Sequence, residues 1–172
     1  ACRNHCPLAL QACISSIPGY RGWECDYSQL EFRIAAQMAS DDGLIETFNN
    51  READIFDYMT SQVTGWTRDM MKTNTYLTLF GGQDKRRSIS LGIDMAESQE
   101  RGREFYRAFP KLMWIAEQAE ALAKRDGYIS YWSGRRRHLH PFDARKAFNA
   151  LTQGGGFEIV TPSAHSSQMS PR

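Results

Sequence analysis

With 172 residues, the chain has room for one domain with a sizeable core. Its 41% hydrophobic and 24% charged residues are ordinary for a globular protein, and no apolar run approaches the roughly 20 residues that span a bilayer. We therefore expect no membrane partner and a cytoplasmic location. The net charge of +1 argues against nucleic-acid binding by bulk charge and leaves two local basic patches as candidates, Lys85–Arg87 and Arg135–Arg137.

Residues 1–17 show little periodicity and predict a loop-rich lead-in. All four cysteines fall within the first 25 residues, at Cys2, Cys6, Cys13 and Cys25. Their spacing does not give two Cys-x-x-Cys pairs, and only His5 lies nearby in the sequence. Free thiols are therefore favoured over a zinc site, which stays an alternative.

The stretch Asp26–Arg33 predicts a strand that runs directly into a helix. Residues 23–27 form an extended run, and Ser28 stands where an N-cap belongs. Glu31 follows three residues later, which is the spacing of a capping box. The helix is predicted from about Gln29 to Ala39.

Asp26 would then lie at the carboxyl end of a strand, facing the mouth of the fold. A carboxylate in that position is suited to holding a hard cation such as Mg²⁺ through oxygen. A plainer interpretation is that Asp26 only ends a strand and Glu31 only caps a helix. This stretch alone does not decide between the two.

Further helices are predicted over residues 44–48, 55–63, 68–80, 94–109, 110–125 and 143–160. Thr67 and Asp94 have N-cap signatures, and Gly127 is expected to close the helix before it. Residues 128–132 alternate and predict a strand. Three glycines, 154–156, are expected to loosen the last helix.

Residues 161–172 contain Ser and Pro without periodicity and predict a disordered tail.

The helix from Arg68 carries Arg68, Lys72, Tyr76 and Phe80 at intervals of four, so the four side chains form one stripe. Two cations about 6 Å apart match neighbouring phosphates of a polyphosphate, and the two aromatics offer a surface on which a base can stack. The alternative is an exposed basic turn followed by two core aromatics. Together with Asp26, the stripe describes a nucleoside triphosphate site.

These segments resemble motifs of the A-family DNA polymerases. Residues 26–33 resemble motif A, and Arg68-x₃-Lys72-x₃-Tyr76-x₃-Phe80 resembles motif B. Residues 134–137, and residues 145–149 with Gln153-Gly154, resemble later family segments in the same order. The resemblance covers about residues 18–160 and implies an α+β fold, mostly helical: a fingers subdomain with part of an antiparallel palm sheet.

For the reaction, the resemblance implies that Asp26 binds two catalytic Mg²⁺ ions and that the backbone carbonyl of Tyr27 helps to hold one. Glu31 would be the steric gate that selects deoxynucleotides. The dNTP would be bound by Gln29, Glu31, Arg68, Lys72 and Tyr76. At the position of Tyr76 many bacterial members of the family have Phe and some phage members have Tyr, so this residue resembles the phage type.

For nucleic acid, the resemblance implies that Phe80 stacks at the templating position. The minor groove of primer and template would be contacted by Arg145, Asn149 and Gln153, and the phosphate backbone by Arg135, Arg136 and Arg137. A solvated loop stays the alternative for any one of these three arginines. The expected partners are primer–template DNA and dNTPs, and the protein is expected to be monomeric.

The sequence also departs from the family pattern. Leu77 stands where the family usually has Gly, Phe80 where it has Tyr, and Phe56 where it has a His that supports the triphosphate. Nothing after Gln153 resembles motif C, and the only acid there is Glu158. We therefore expect a fragment, cut at both ends and inactive alone.

Two other functions stay open. A single-subunit RNA polymerase shares the Arg-x₃-Lys helix, but Glu31 argues against it because an RNA polymerase must leave room for the 2′-hydroxyl. A non-catalytic remnant could instead use the arginines and aromatics to hold a primer–template. That protein would bind DNA in a salt-sensitive way without binding nucleotide.

Overall fold

The computed structural model of the chain describes residues 26–168, and helices make up most of it. In chain order the described elements are α1 (Leu30–Ala39), α2 (Asp42–Asn49), α3 (Ile55–Ser61), α4 (Arg68–Leu79), α5 (Asp84–Leu91), α6 (Met95–Ala108), α7 (Pro110–Asp126), β1 (Tyr128–Ser130), β2 (Arg136–His138), a 3₁₀ helix (Pro141–Lys146) and α8 (Ala147–Gln168). The predicted class, mostly helical α+β with a small antiparallel sheet, is confirmed. The predicted lead-in, the four cysteines and residues 23–25 lie outside the described residues.

Side-chain caps start two of these helices where the sequence predicts them. The Thr67 hydroxyl accepts a hydrogen bond from the backbone N–H of Met70 (3.2 Å), and the Asp94 carboxylate accepts one from that of Glu97 (2.8 Å). Each bond satisfies an amide that the first turn of a helix otherwise leaves unpaired. α7 ends at Gly127, whose φ of +74° is the left-handed conformation that favours glycine.

The start of α1 differs from the prediction. The helix begins at Leu30, and Gln29 occupies the cap position in the left-handed conformation (φ 54°, ψ 37°). Gln29 makes no side-chain capping bond, and its carbonyl accepts two backbone N–H groups of α1 at 3.0 Å. The capping box with Ser28 is therefore wrong. Residues 26 and 27, the end of the predicted strand, have no strand conformation.

The basic cluster Lys85–Arg87 lies on α5, a helix that the sequence does not predict. The first two side chains are exposed, but Arg87 is buried. It donates hydrogen bonds to Asn74 Oδ1 (2.5 Å), to Asp84 Oδ1 (2.5 Å) and to the carbonyl of Ser98 (3.3 Å). The interpretation of this cluster as a surface patch is wrong for Arg87, which links α4, α5 and α6 from inside.

β1 and β2 form an antiparallel pair in which Ile129 lies opposite Arg137. The predicted strand 128–132 is confirmed over its first three residues. The sequence does not predict β2 because its three side chains are all exposed, so no alternation of apolar and polar residues marks it. The chain turns between the strands at Gly134, which has a φ of +83°.

The last helix begins and ends later than predicted. Residues 141–146 form a 3₁₀ helix, which includes the predicted start at Asp143. α8 then continues through Gln168, beyond the point at Thr161 where the sequence predicts a disordered tail. Residues 169–172 lie outside the described residues.

The three glycines of α8 do not loosen the helix, which continues through them. A Cβ on Gly154 would clash with the ring of Tyr131, and one on Gly155 would lie 2.5 Å from the ring of Trp132. Tyr131 also donates its hydroxyl to the carbonyl of Ala150 at 3.0 Å. The glycines therefore let two aromatic side chains pack directly against the backbone of α8.

One hydrophobic cluster runs through the described residues and positions the helices that carry site residues. α1 packs against α7 and α8, and α4 packs against α3 and α5. Phe32 of α1, Phe56 of α3 and Leu79 of α4 are almost fully buried in this cluster. Burial of a side chain of this size contributes about 2 kcal/mol. No helix in the described part of the chain is long and apolar enough to cross a membrane.

Candidate functional site

A cleft of about 860 Å³ opens between the start of α1, one face of α4 and the middle of α8. These three segments are far apart in the sequence, and each carries predicted site residues. Of the predicted residues, those that line the cleft are Asp26, Tyr27, Gln29, Glu31, Lys72, Tyr76, Phe80 and Gln153. The fold therefore brings two acids, a cation and three aromatic side chains to one surface.

Asp26 and Tyr27 lie just before the left-handed turn at Gln29, and both side chains are exposed. An exposed carboxylate offers oxygen ligands to a hard cation without the desolvation cost of a buried acid. Within residues 26–161, whose side chains the structure describes, no three His, Cys, Asp or Glu side chains converge to hold a metal ion. The described residues therefore supply part of a coordination sphere at most.

Glu31 stands on the first turn of α1 and is half-buried in the cleft. Burial raises the pKa of its carboxyl above the ordinary value, and a hydrogen bond with the Gln153 side chain partly opposes that rise. Burial also raises the pKa of the Tyr76 hydroxyl, and the negative charge of Glu31 adds to the effect. Three side chains from three helices therefore lie close enough to act on one another.

We expect Glu31→Gln to raise the free energy of unfolding at neutral pH. In the folded chain, burial penalises the ionised Glu31 carboxylate, whereas the amide is neutral and keeps hydrogen-bonding groups for Gln153. Because the folded-state pKa lies above the ordinary 4.5, the penalty is complete above the folded pKa, fades as the pH falls from the folded pKa towards 4.5, and is absent well below 4.5. Urea denaturation at neutral pH and near pH 4 should therefore show a gain that shrinks on acidification.

Glu46→Gln is the matched control, because Glu46 is exposed on α2 and does not line the cleft. We expect it to change the denaturation midpoint little at either pH. A Glu31→Gln variant that is less stable than the wild type at neutral pH would contradict the expectation. It would mean that the carboxylate makes a favourable interaction that outweighs its desolvation.

Lys72 and Tyr76 of α4, and Phe80 directly after its end, face the cleft at intervals of about one turn. Lys72 is exposed, and the rings of Tyr76 and Phe80 stack with their centroids 6.0 Å apart. The centroid of the Tyr76 ring also lies 6.1 Å from that of the buried ring of Phe56. A cation followed by two stacked rings offers complementary surfaces to a phosphate and to a base.

Arg68, the first residue of the predicted stripe, does not line this cleft. Its guanidinium donates two hydrogen bonds to Asp54, from Nη2 to Oδ2 at 2.6 Å and from Nε to Oδ1 at 3.3 Å. These bonds are the main reason why the pKa of Asp54 lies below its ordinary value. The stripe is therefore divided: its last three residues face the cleft, and its first is held by the N-terminus of α3.

The predicted arginines of the β hairpin lie apart from the cleft. The guanidinium of Arg135 lies 4.3 Å from the ring centroid of Tyr131, and its Nε lies 3.4 Å from a carboxylate oxygen of Glu158. The guanidinium of Arg136 lies 4.6 Å from the ring centroid of Tyr128 on β1, and the Arg137 side chain is exposed. Arg135 is thus fixed by its neighbours, while Arg136 and Arg137 stand on the exposed strand β2.

Arg145 and Asn149 also lie outside the cleft. Arg145 lines a second cavity, of about 1030 Å³, among α5, α6 and α7. The backbone of Gly81 (φ +70°) approaches so closely that a Cβ there would lie 2.7 Å from the carbonyl oxygen of Arg145. The side-chain oxygen of Asn149 is buried and has no hydrogen-bond partner among the described residues. Such an acceptor costs free energy until a ligand or water donates to it.

Two further residues contribute to the site: Phe56, which stands where the resemblance implies a triphosphate-supporting His, and Asp54, which the sequence does not predict. Phe56 lines the cleft, and its ring lies 6.1 Å from those of Phe32 and Tyr76. Asp54 holds Arg68. The available signal for Asp54 is its N-cap position directly before an apolar helix start.

Comparisons with known proteins agree with the ordered motifs. The family model described as DNA polymerase family A matches residues 8–164. DNA polymerase I of Mycobacterium bovis is 32% identical over 153 residues, which cover 78% of this chain and 17% of that protein. The thermostable DNA polymerase I of Thermus aquaticus is 30% identical over 161 residues, which cover 81% of this chain and 19% of that protein. The chain therefore spans less than a fifth of the length of these relatives.

A solved structure agrees in fold. The POL domain of Pol1 from Mycobacterium smegmatis, in complex with a DNA primer-template and dNTP, superposes with a TM-score of 0.69 at 29% identity. The match covers 78% of this chain and 27% of that one. The helical arrangement around the cleft is therefore that of part of a polymerase domain.

Proposed function

The chain belongs to DNA polymerase family A, and on that premise we propose that it contributes to template-directed DNA synthesis, the transfer of a nucleotide from a dNTP to a primer 3′-hydroxyl. The observation that carries the proposal is the convergence of Asp26, Glu31, Lys72 and Tyr76 in one cleft. We infer that the enzyme is monomeric and cytoplasmic and that its partners are primer–template DNA and dNTPs. The likeness to a polymerase domain in complex with both supports these partners.

We further propose that two Mg²⁺ ions are the cofactor and that Asp26 is a ligand of both, with the Tyr27 carbonyl as a ligand of one. The donors fit, because Mg²⁺ prefers carboxylate and carbonyl oxygens and the Asp26 side chain is exposed at the cleft. When bound, such ions lower the pKa of the attacking hydroxyl and neutralise the leaving pyrophosphate. Asp26 would share them with ligands beyond the described residues.

Lys72 and the two rings would position the nucleotide. The exposed ammonium of Lys72 would bind the phosphates, and the stacked pair of Tyr76 and Phe80 would lie against the sugar, the base and the templating position. Gln29 would complete the nucleotide contacts at the turn before α1. Glu31 beside Tyr76 would fill the space of a ribose 2′-hydroxyl, which favours a DNA polymerase over an RNA polymerase.

The remaining predicted residues would bind DNA. Gln153 at the cleft, with Arg145 and Asn149 near the start of α8, would contact primer and template in the minor groove. Asn149 has a buried side-chain oxygen that a donor from outside the described residues could satisfy. Arg135, Arg136 and Arg137 would hold phosphates, and Arg136 and Arg137 are the better placed because Arg135 pairs with Glu158.

We expect Lys72→Glu to weaken dNTP binding at least about tenfold, because a charge-assisted contact is replaced by repulsion of the triphosphate. Isothermal titration of the full chain with dATP measures the effect. The matched control is Lys85→Glu, the same charge reversal at an exposed position of α5 outside this cleft, and it should leave the affinity unchanged.

Equal affinities of the two variants would contradict the proposed nucleotide site. Salt-sensitive DNA binding by a wild-type chain that binds no dATP would instead favour a non-catalytic nucleic-acid-binding remnant.

A further inference from the structure

Arg68 is surrounded by carboxylates, although it stands one turn before a cation that faces the cleft. Its guanidinium binds both oxygens of Asp54, and Asp57 lies 3.6 Å from its Nε. Asp69 lies 3.9 Å from its Nη1. Lys72, by contrast, lines the cleft. Of the two cations on this stripe of α4, Arg68 is therefore neutralised by neighbouring carboxylates, whereas Lys72 faces the cleft.

Asp54 is held rigidly in this arrangement. It is the N-cap of α3, and its Oδ1 accepts hydrogen bonds from the backbone N–H groups of Phe56 (2.8 Å) and Asp57 (3.1 Å). Its carboxylate therefore cannot follow the arginine. Arg68 is on a long side chain that is 44% exposed, so it is the movable partner of the pair. Rotation about its own bonds would release it toward Lys72.

The two cations differ in what a nucleotide must do to reach them. Residues at i and i+4 on a helix lie about 6 Å apart, the spacing of neighbouring phosphates in a polyphosphate. A nucleotide with one phosphate can bind Lys72 alone. A triphosphate can extend to Arg68 as well, but only by replacing a carboxylate that already holds the guanidinium with two hydrogen bonds.

We propose that Asp54 is an internal competitor of the triphosphate: it holds Arg68 until a ligand with enough phosphate charge takes its place, and so sets the affinity for triphosphates. This inference rests on the proposed function, since it assumes that Lys72 and Arg68 meet the phosphates. Asp54 acts through Arg68 and is a positioning residue. Asp54 lowers the affinity that the terminal phosphate adds, and it leaves unaffected the binding of nucleotides that contact Lys72 alone.

The test is Asp54→Asn, which removes the charge but keeps a good N-cap residue for α3. Isothermal titration of the full chain should show about fivefold tighter binding of dATP and of inorganic tripolyphosphate, the gain expected from releasing an exposed ion pair. Binding of dAMP should not change. In an Arg68→Ala background, the same substitution should have no effect on dATP. Asp69→Asn is the control. Asp69 is 94% exposed, and its only link to Arg68 is a 3.9 Å contact between Oδ1 and the arginine Nη1.

Each outcome is decisive. Unchanged or weaker dATP binding by Asp54→Asn overturns the competitor, and so does a gain that persists without Arg68. If the wild-type chain binds dAMP and dATP through Lys72 but Asp54→Asn has no effect, only this inference fails. If Lys72→Glu leaves dATP binding unchanged, the proposed nucleotide site fails and the competitor fails with it.

Discussion

Asp26→Asn should abolish nucleotide incorporation by an active polymerase that carries this segment, with a loss on the order of 10³-fold in the single-turnover rate. The amide has almost the same size as the carboxylate but lacks the negative charge that would hold Mg²⁺ beside the primer hydroxyl. The Asp26 side chain is exposed at the cleft, so the fall in rate should far exceed any effect on stability. Rapid-quench primer extension measures the rate, and urea denaturation checks the fold.

Asp42→Asn is the matched control for this variant. Asp42 is 84% exposed, lies in the first turn of α2 and does not line the cleft. Its substitution should leave the rate within about twofold of the wild type, since surface substitutions of this kind have small effects. Extension by Asp26→Asn within about tenfold of the wild type would remove Asp26 from the metal site.

The sequence predicted helix bounds well where they are set by interactions between residues a few positions apart. α4 is predicted to within one residue at its end, because Thr67 supplies a capping hydroxyl and Gly81 supplies the left-handed turn that follows the helix. The mostly helical content follows from the same signals, since long periodic segments dominate the chain, whereas the α+β class with a small antiparallel sheet is implied by the family resemblance. These features depend on residues a few positions apart, which the sequence displays directly.

The sequence predicted some of the residues that line the cleft but placed Arg68 there wrongly, and the difference has a physical cause. A stripe at intervals of four fixes which residues share a face of α4, but it does not say what packs against that face. Lys72 and Tyr76 face the cleft as expected, whereas Arg68 meets the N-terminus of α3. Asp54 is one of many acids in the sequence. Only the packing of α3 on α4 selects it as the partner.

Other features could not be predicted because they depend on contacts between distant segments. Gly154 weakens a helix by its intrinsic propensity, yet here it admits the ring of Tyr131. Arg87 looks like one member of a surface cluster and is buried. In each case tertiary context overrides the local preference.

The burial of Arg87 has a direct energetic consequence. Its guanidinium satisfies the side-chain oxygen of Asn74, which is fully buried, and pairs with Asp84. The Asn74 amide nitrogen already has no hydrogen-bond partner among the described residues. Asn74 therefore depends on Arg87, and through the two residues α4 is attached to α5 on the side opposite Lys72 and Tyr76.

Arg87→Ala should lower the free energy of unfolding by about 3 kcal/mol or more, because it leaves a cavity, a fully buried amide without its donor and an acid without its partner. Urea denaturation of the full chain measures the loss. Arg86→Ala, the same change one residue earlier at an exposed position, should cost less than about 0.5 kcal/mol. Arg87→Met combined with Asn74→Leu removes both polar partners together and should recover most of the stability. Equal midpoints for Arg87→Ala and Arg86→Ala would mean that the buried network does not hold α4 and α5 together.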